Sequence, residues 1–431
     1  MNGASNENLP KFFSEEQLIT ANTGGTSNRN LLYQPMVARS TTEEHRASTP
    51  LELLFDLCFV VAVSQAGVQL HHFLMEGNVG LGVLGYGMVF FGIWWAWMLF
   101  TWFASAYDTD DVPYRIATLI QIAGALIISA GIPRAFNNAD FTVVTAGYVV
   151  MRVALVGQWI RAARQHRDRR KSALIYAIGI TLCQMGWLAR LALPLVPWGY
   201  IGFAILVILE LMVPILAELA GSLQWHPGHI SERYGLFTLI VLGESVLAAT
   251  TAVQSGLDSG QPIGNLLVVA AGGLLIFFSM WWIYFDQPNH HFMIAAREMR
   301  TSRLAFYWGY GHYIIFASAA AVGSGLEVAI DISIHSTSGH VGLAVWGGSA
   351  TVAIPVACYL ISVWLLHRNI HFNQISRNIA YPVVAILILA SPALGLVPSA
   401  AHFSVLIIGL LMSLLVIIVV ATRPIETSCQ A

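Results

Sequence analysis

The stretch GVLGYGMVFFGIWWAWMLFTWFAS, residues 82–105, contains no charged side chain. A helix of this length is about 36 Å long at 1.5 Å per residue, enough to cross the roughly 30 Å hydrocarbon core of a bilayer. Eleven further runs resemble it, giving predicted spans at 50–72, 82–105, 114–132, 140–161, 173–193, 199–220, 232–254, 264–285, 303–325, 339–365, 377–397 and 402–421. Backbone amides in hydrocarbon must bond internally, and these runs are too long and too uniformly apolar for barrel strands. The sequence therefore predicts an all-α polytopic membrane protein of about 12 transmembrane helices. The composition of the 431 residues agrees, with 56% hydrophobic and 10% charged, since a lipid-facing surface needs apolar side chains where a soluble one needs charge.

Basic residues gather in alternate gaps. One side carries Lys11, Arg29, Arg39, Arg46, Arg115, Arg161, Arg164, Arg167, Arg169, Arg170, Lys171, Arg297, Arg300, Arg303, Arg368, Arg377 and Arg423, and the other only Arg134 and Arg190. This bias predicts a cell-membrane protein with both termini in the cytoplasm. Residues 1–48 are polar and read as a mobile cytoplasmic arm; they hold no apolar core fit for a secretory signal, so the first span is expected to drive insertion. Cys58, Cys183 and Cys358 fall inside spans and Cys429 in the tail, a pattern that reads as packing. No Walker loop or dinucleotide fingerprint is present, which argues against ATP-driven pumping within this chain. The basic gap at 161–171 is explained by topology and gives no support to nucleic-acid binding. No cofactor is expected.

A faint internal repeat is visible. Trp94-Trp95-Ala96-Trp97, followed by Asp108 and Arg115, has a counterpart in Trp281-Trp282-Ile283-Tyr284, followed by Asp286 and Arg303. Glu52 opens span 1 and Glu232 opens span 7. Six spans separate the copies, so duplicated halves at 49–225 and 226–422 would lie the same way up, with a short tail at 423–431. Duplication is the favoured reading, with membrane constraints shared by all spans as the alternative, and duplication would place a candidate site between the halves.

The segment Ser48-Thr49-Pro50-Leu51-Glu52-Leu53-Leu54-Phe55-Asp56-Leu57-Cys58-Phe59-Val60 resembles the opening motif of the bacterial low-temperature-requirement family, LtrA. So does Glu232-Arg233-Tyr234-Gly235-Leu236-Phe237-Thr238-Leu239-Ile240-Val241-Leu242-Gly243-Glu244-Ser245. The resemblance covers roughly 46–421. It implies a multi-helix membrane protein linked by name to growth in the cold, and implies no activity, substrate or catalytic residue.

Chemistry is sought where charge is expensive, because an ionisable group near the bilayer centre costs about 2.5–3.5 kcal/mol on insertion scales and faces a bundle interior or an aqueous cavity. Glu244 lies near the midplane between Gly243 and Ser245, suited to accepting a proton or a cation, or else to locking two helices. Glu52 and Asp56 share one face of span 1; they suit a shared proton or cation, although acids in a first helical turn also serve the helix dipole. Asp56, being deeper, is the better candidate of the two. Glu210 precedes Pro214, and a kink beside a buried acid suits a gate or plain packing. Arg152 is a natural partner for Glu244 or Glu210, and His312 can relay protons or simply be held by hydrogen bonds.

Other clusters carry less. Asp108, Asp110 and Asp111 could hold a divalent cation, but loop aspartates more commonly cap the next helix. His71-His72 and His290-His291 lack the i, i+4 placement of a zinc site. Trp94, Trp95, Trp281, Trp282 and Tyr284 could line a pocket for a cation or isoprenoid, or form an interfacial belt. The expected partners are the bilayer and either a small solute or a lipid substrate. The leading expectation is a secondary transporter or permease coupled through buried carboxylates. The alternative is a membrane-embedded enzyme on an isoprenoid or other lipid, a cyclase or isomerase with Glu244 or Asp56 as general acid. A membrane-stress sensor is a weaker third.

Overall fold

The computed structural model describes residues 32–38, 47–221, 225–258, 263–286, 293–294, 302–335, 345–368, 375–396 and 401–422. They contain twelve helices long and apolar enough to cross a membrane and no strand. These are α1 (Pro50–Met75), α2 (Val79–Tyr107), α3 (Val112–Asn137), α4 (Thr142–Gln165), α5 (Arg170–Arg190), α6 (Tyr200–Ala220), α7 (Pro227–Asp258), α8 (Ile263–Phe285), α9 (Ser302–His335), α10 (Val345–His367), α11 (Ile375–Ala390, its span completed by a 3-10 helix at Ser391–Leu396) and α12 (Ala401–Ala421). Most links are short, so successive helices run antiparallel. The near end below is the one where α1 begins, and the far end the one where it finishes.

Local sequence sets several boundaries. Thr49 caps α1 in a reciprocal box, its hydroxyl accepting from the Glu52 amide while the Glu52 carboxylate accepts from the Thr49 amide, with Pro50 at the first helical position. Asp111 caps α3 through the Tyr114 amide, followed by Pro113.

Two helices form the centre. The most apolar windows of α2 and α9 are 72% and 67% buried, against 28% for α6. Their crossing is pinned by tyrosines whose hydroxyls need partners in an apolar interior: Tyr86 donates to the Ala317 carbonyl at 2.7 Å and Tyr313 to that of Gly87 at 2.8 Å. Tyr310, also on α9, donates to the Leu211 carbonyl of α6 at 3.0 Å, one turn before Pro214. Around this axis α1 packs on α2, α3, α7 and α9, while α9 packs on α7, α8 and α10.

At the near end, part of the expected mobile arm is fastened down. The Gln34 amide donates to Asp111, Arg161 grips both Asp111 and the Gln34 carbonyl, and the Met36 amide donates to Gln165. Met36 is fully buried. Residues 1–31 and 39–46 lie outside the described residues, as does the tail at 423–431.

Candidate functional site

The acids singled out in the sequence separate into locked and unlocked groups. Glu52 and Asp56, one turn apart on α1, face the first turns of α7, and all five side chains of the cluster they form with Arg233, His229 and Trp97 are buried. Arg233 donates through Nε to Asp56 Oδ2 at 3.0 Å, with Nη2 on Oδ1, and its Nη1 lies 3.2 Å from Glu52. Trp97 of α2 donates to Asp56 at 2.7 Å, and His229 lies 3.2 Å from Glu52. The two carboxylates thus share one guanidinium, which removes the mutual repulsion expected of them. The Ser48 amide donates to Glu232 at the same end.

Glu210 is locked likewise. Arg152 approaches it at 3.3 Å, and Trp95 and Trp187 donate to it at 2.8 and 3.1 Å. Of the two partners expected for Arg152, the structure selects Glu210. His312 is buried with both ring nitrogens engaged: Nδ1 faces the Trp308 carbonyl at 2.7 Å and Nε2 the Tyr284 hydroxyl at 3.0 Å. A carbonyl only accepts, so Nδ1 carries the proton and Nε2 accepts from Tyr284.

Glu244 stands apart. It lines a cavity of about 190 Å³ between α1, α7 and α9, together with Glu327. Neither carboxylate is paired with Arg or Lys among the described residues. Small residues draw the three helices together: the Ser324 hydroxyl donates to the Gly67 carbonyl at 2.9 Å, and Ser245 donates to the Ala319 carbonyl at 3.0 Å. A Cβ on Gly323 would come within 2.9 Å of the Ser245 backbone, so only glycine permits this approach. Ser64 and Thr251 add hydroxyls to the wall. Beyond Glu327, His71 pairs with Asp331 at 2.8 Å, and Glu327 lies within electrostatic reach of His71, Asp331 and Glu244. A site with two carboxylates that meet no Arg or Lys among the described residues, and with several hydroxyls, suits a proton or a small cation.

Residues 47–421 match the model of the family described as Bacterial low temperature requirement A protein (LtrA). The chain belongs to the LtrA family. It is also similar to an uncharacterized protein of Rhizobium meliloti (strain 1021), with 27% identity over 236 residues that cover 51% of this chain and 54% of that protein. The chain thus spans about half the length of the curated relative it matches. No solved structure matches it.

Both LtrA motifs identified in the sequence meet at the near-end lock, since Glu52 and Asp56 belong to the first and Arg233 to the second. The second motif continues to Glu244 in the cavity, so one helix of this LtrA protein joins lock and cavity. The aromatic residues are divided. Trp94, Trp95 and Tyr284 are buried in the bundle, whereas Trp281 and Trp282 are 45% and 41% exposed on its outer surface. Apolar rings on the outside of a bundle face lipid, as in a belt.

The aspartates of the α2–α3 link diverge. Asp110 takes Arg115 through two bonds of 2.8 Å, Asp111 caps α3 and holds Arg161, and Asp108 accepts the Asp110 amide. Among the described residues no group of three or more His, Cys, Asp or Glu side chains could hold a metal ion. His290 and His291 lie outside the described residues.

One cavity acid, Glu327, and the neighbouring Asp331 escaped the sequence reading. The predicted ninth span stopped at 325, but α9 continues to His335 and carries Glu327 and Asp331 as helical residues. The available signal was His71, an ionisable group at the far end of span 1 that needed a partner.

Proposed function

We propose that this LtrA-family membrane protein is a secondary transporter or permease for a small solute, with Glu244 and Glu327 as the groups that take up a proton or cation. The observation that carries the reading is the contrast among its acids. Glu52, Asp56 and Glu210 are tied to guanidinium groups, so protonating them would abandon a buried Arg, at a cost of several kcal/mol. Glu244 and Glu327 face a cavity and can change charge without that cost. The Glu52–Asp56–Arg233 lock closes α1 against α7 at the near end, while the cavity separates the same two helices toward the far end. Such an arrangement suits alternating access, in which one end is sealed while the other admits the solute.

The enzyme alternative draws less support. Both carboxyl oxygens of Asp56 are engaged by Arg233 and Trp97, which leaves Glu244 as the candidate acid. The described residues lining its cavity include no aromatic ring to stabilise a developing carbocation.

The test is mass spectrometry of small molecules and lipids that co-purify with wild-type protein, Glu244→Gln and Glu327→Gln at matched yield. A polar solute lost from both variants names the compound for flux assays in proteoliposomes. An isoprenoid or lipid substrate–product pair whose ratio shifts in Glu244→Gln would overturn the transport reading.

A further inference from the structure

Four arginines are buried among the described residues: Arg152, Arg190, Arg233 and Arg377. Three of them meet carboxylates, those of Glu210, Asp56 and Asp286. Arg190, the last residue of α5 and 6% exposed, meets none among the described residues. Its Nε donates to the Gly199 carbonyl at 2.9 Å, and its Nη2 has no hydrogen-bond partner there. The guanidinium lies against the rings of Phe141 and Phe203, 4.8 and 5.5 Å from their centroids.

A cation at a helix C-terminus is favoured by the dipole, and an arginine near a membrane surface ordinarily snorkels to water or headgroups. Arg190 does the first but not the second. Aromatic faces satisfy the π-surface of a guanidinium and leave its in-plane N–H donors unmet. Arg190 lines a pocket between α2, α4, α5 and α6, walled by Met88, Phe91, Thr145 and Trp187 as well as the two phenylalanines. Its free space is about 40 Å³, more than one water needs, at roughly 10–15 Å³.

We propose that this pocket binds an oxyanion, the carboxylate or phosphate of a ligand with an apolar remainder, seated on Arg190 Nη2. The planar guanidinium fork matches a carboxylate or phosphate edge. The free space is sized for the anionic group itself, so the apolar remainder would extend out of the pocket, while the apolar walls lower the local polarity around the charge. The site is separate from the Glu244 cavity, and it takes ligands of the opposite charge.

Two sources of such a group, a free organic acid and a lipid headgroup, are distinguished by thermal unfolding of the full chain in dodecyl maltoside, a detergent that carries no oxyanion. One arm titrates hexanoate against hexanamide, and the other adds phosphatidylglycerol to the micelles. A ligand bound only to the native state raises Tm, so a saturable rise with hexanoate alone, or with phosphatidylglycerol, is expected and names the source. Arg190→Gln should weaken the apparent affinity by about tenfold or more, since it removes a charge-assisted bond, while Arg190→Lys retains part of it. Should Arg190→Gln fail to fold, Val144→Trp keeps the guanidinium but fills the pocket, and it should also abolish the response. No anion-dependent rise in either arm, or a rise undiminished in these variants, overturns the proposal.

Discussion

At Asp56 the protein places a carboxyl group deep in an apolar bundle and surrounds it with the Arg233 cation and the Trp97 N–H donor, so both of its oxygens have partners. Removing one partner of a buried pair strands the other, typically for about 3–5 kcal/mol. Arg233→Met is therefore expected to lower the unfolding temperature sharply in detergent, because both Glu52 and Asp56 lose their cation. Glu244→Gln, at a half-buried site with no ion pair among the described residues, should change stability by only about 0.5 kcal/mol. Equal losses in the two variants would show that Glu244 is structural. The expense of these acids was legible from their isolation in apolar runs, and so was the need of Arg152 for a carboxylate. The Asp56–Arg233 pairing was not, because it joins residues 177 positions apart and no local pattern encodes which helices meet. Glu327 and Asp331 were hidden for a different reason: charges near a helix end lower the hydropathy average and are read as loop.

Among the helices, the approach of α8 and α12 depends on Gly272 and Gly409. A Cβ at Gly272 would lie 2.7 Å from the Val405–Leu406 backbone, and one at Gly409 would lie 2.7 Å from the Gly272 carbonyl. Backbone cannot yield as a side-chain tip can, so Gly272→Val should cost about 1–3 kcal/mol, at the upper end of overpacking effects. An unchanged melting temperature would show that the two helices do not pack this closely. The fastening of the arm is instead electrostatic and should respond to acid. Burial pushes the Asp111 carboxyl up, but Arg161 and the amides of Gln34 and Tyr114 outweigh it and hold the group below the usual carboxylate range. A carboxyl lowered on folding stabilises at pH values above its unfolded value, about 3.9, and that contribution is lost as pH falls through the folded value. Protection of residues 32–38 from protease should thus persist through neutral and mildly acidic pH and fade below about pH 4, whereas Asp111→Asn should expose them even at neutral pH. Cleavage that is insensitive to both changes would remove Asp111 as the clasp. Hydropathy placed all twelve helices, yet α7 begins at Pro227 rather than 232 and α9 ends at His335 rather than 325. Polar side chains that find partners inside the bundle extend helices beyond where transfer energy alone would stop them.

For the molecule as a whole, sidedness and access form one question. We propose, from the excess of Lys and Arg at the near end, that this end faces the cytoplasm, which would direct the Glu244 cavity toward the exterior with the Glu52–Asp56–Arg233 lock beneath it. Architecture was legible because the bilayer imposes length and apolarity on every span, whereas the cavity arises from the convergence of α1, α7 and α9, which hydropathy does not record. The orientation can be read directly at Thr251, which lines the cavity on α7 near its far end. With Cys58, Cys183, Cys358 and Cys429 replaced by serine or alanine, Thr251→Cys provides a single thiol. In intact cells a membrane-impermeant maleimide should label it without permeabilisation, because the reagent approaches from outside. Labelling only after permeabilisation would reverse the orientation and turn the cavity toward the cytoplasm. If the cavity also alternates, loosening the lock with Arg233→Met should favour opening at the near end and slow this labelling from outside. An unchanged rate in a folded Arg233→Met protein would mean that the lock holds α1 and α7 together without governing access.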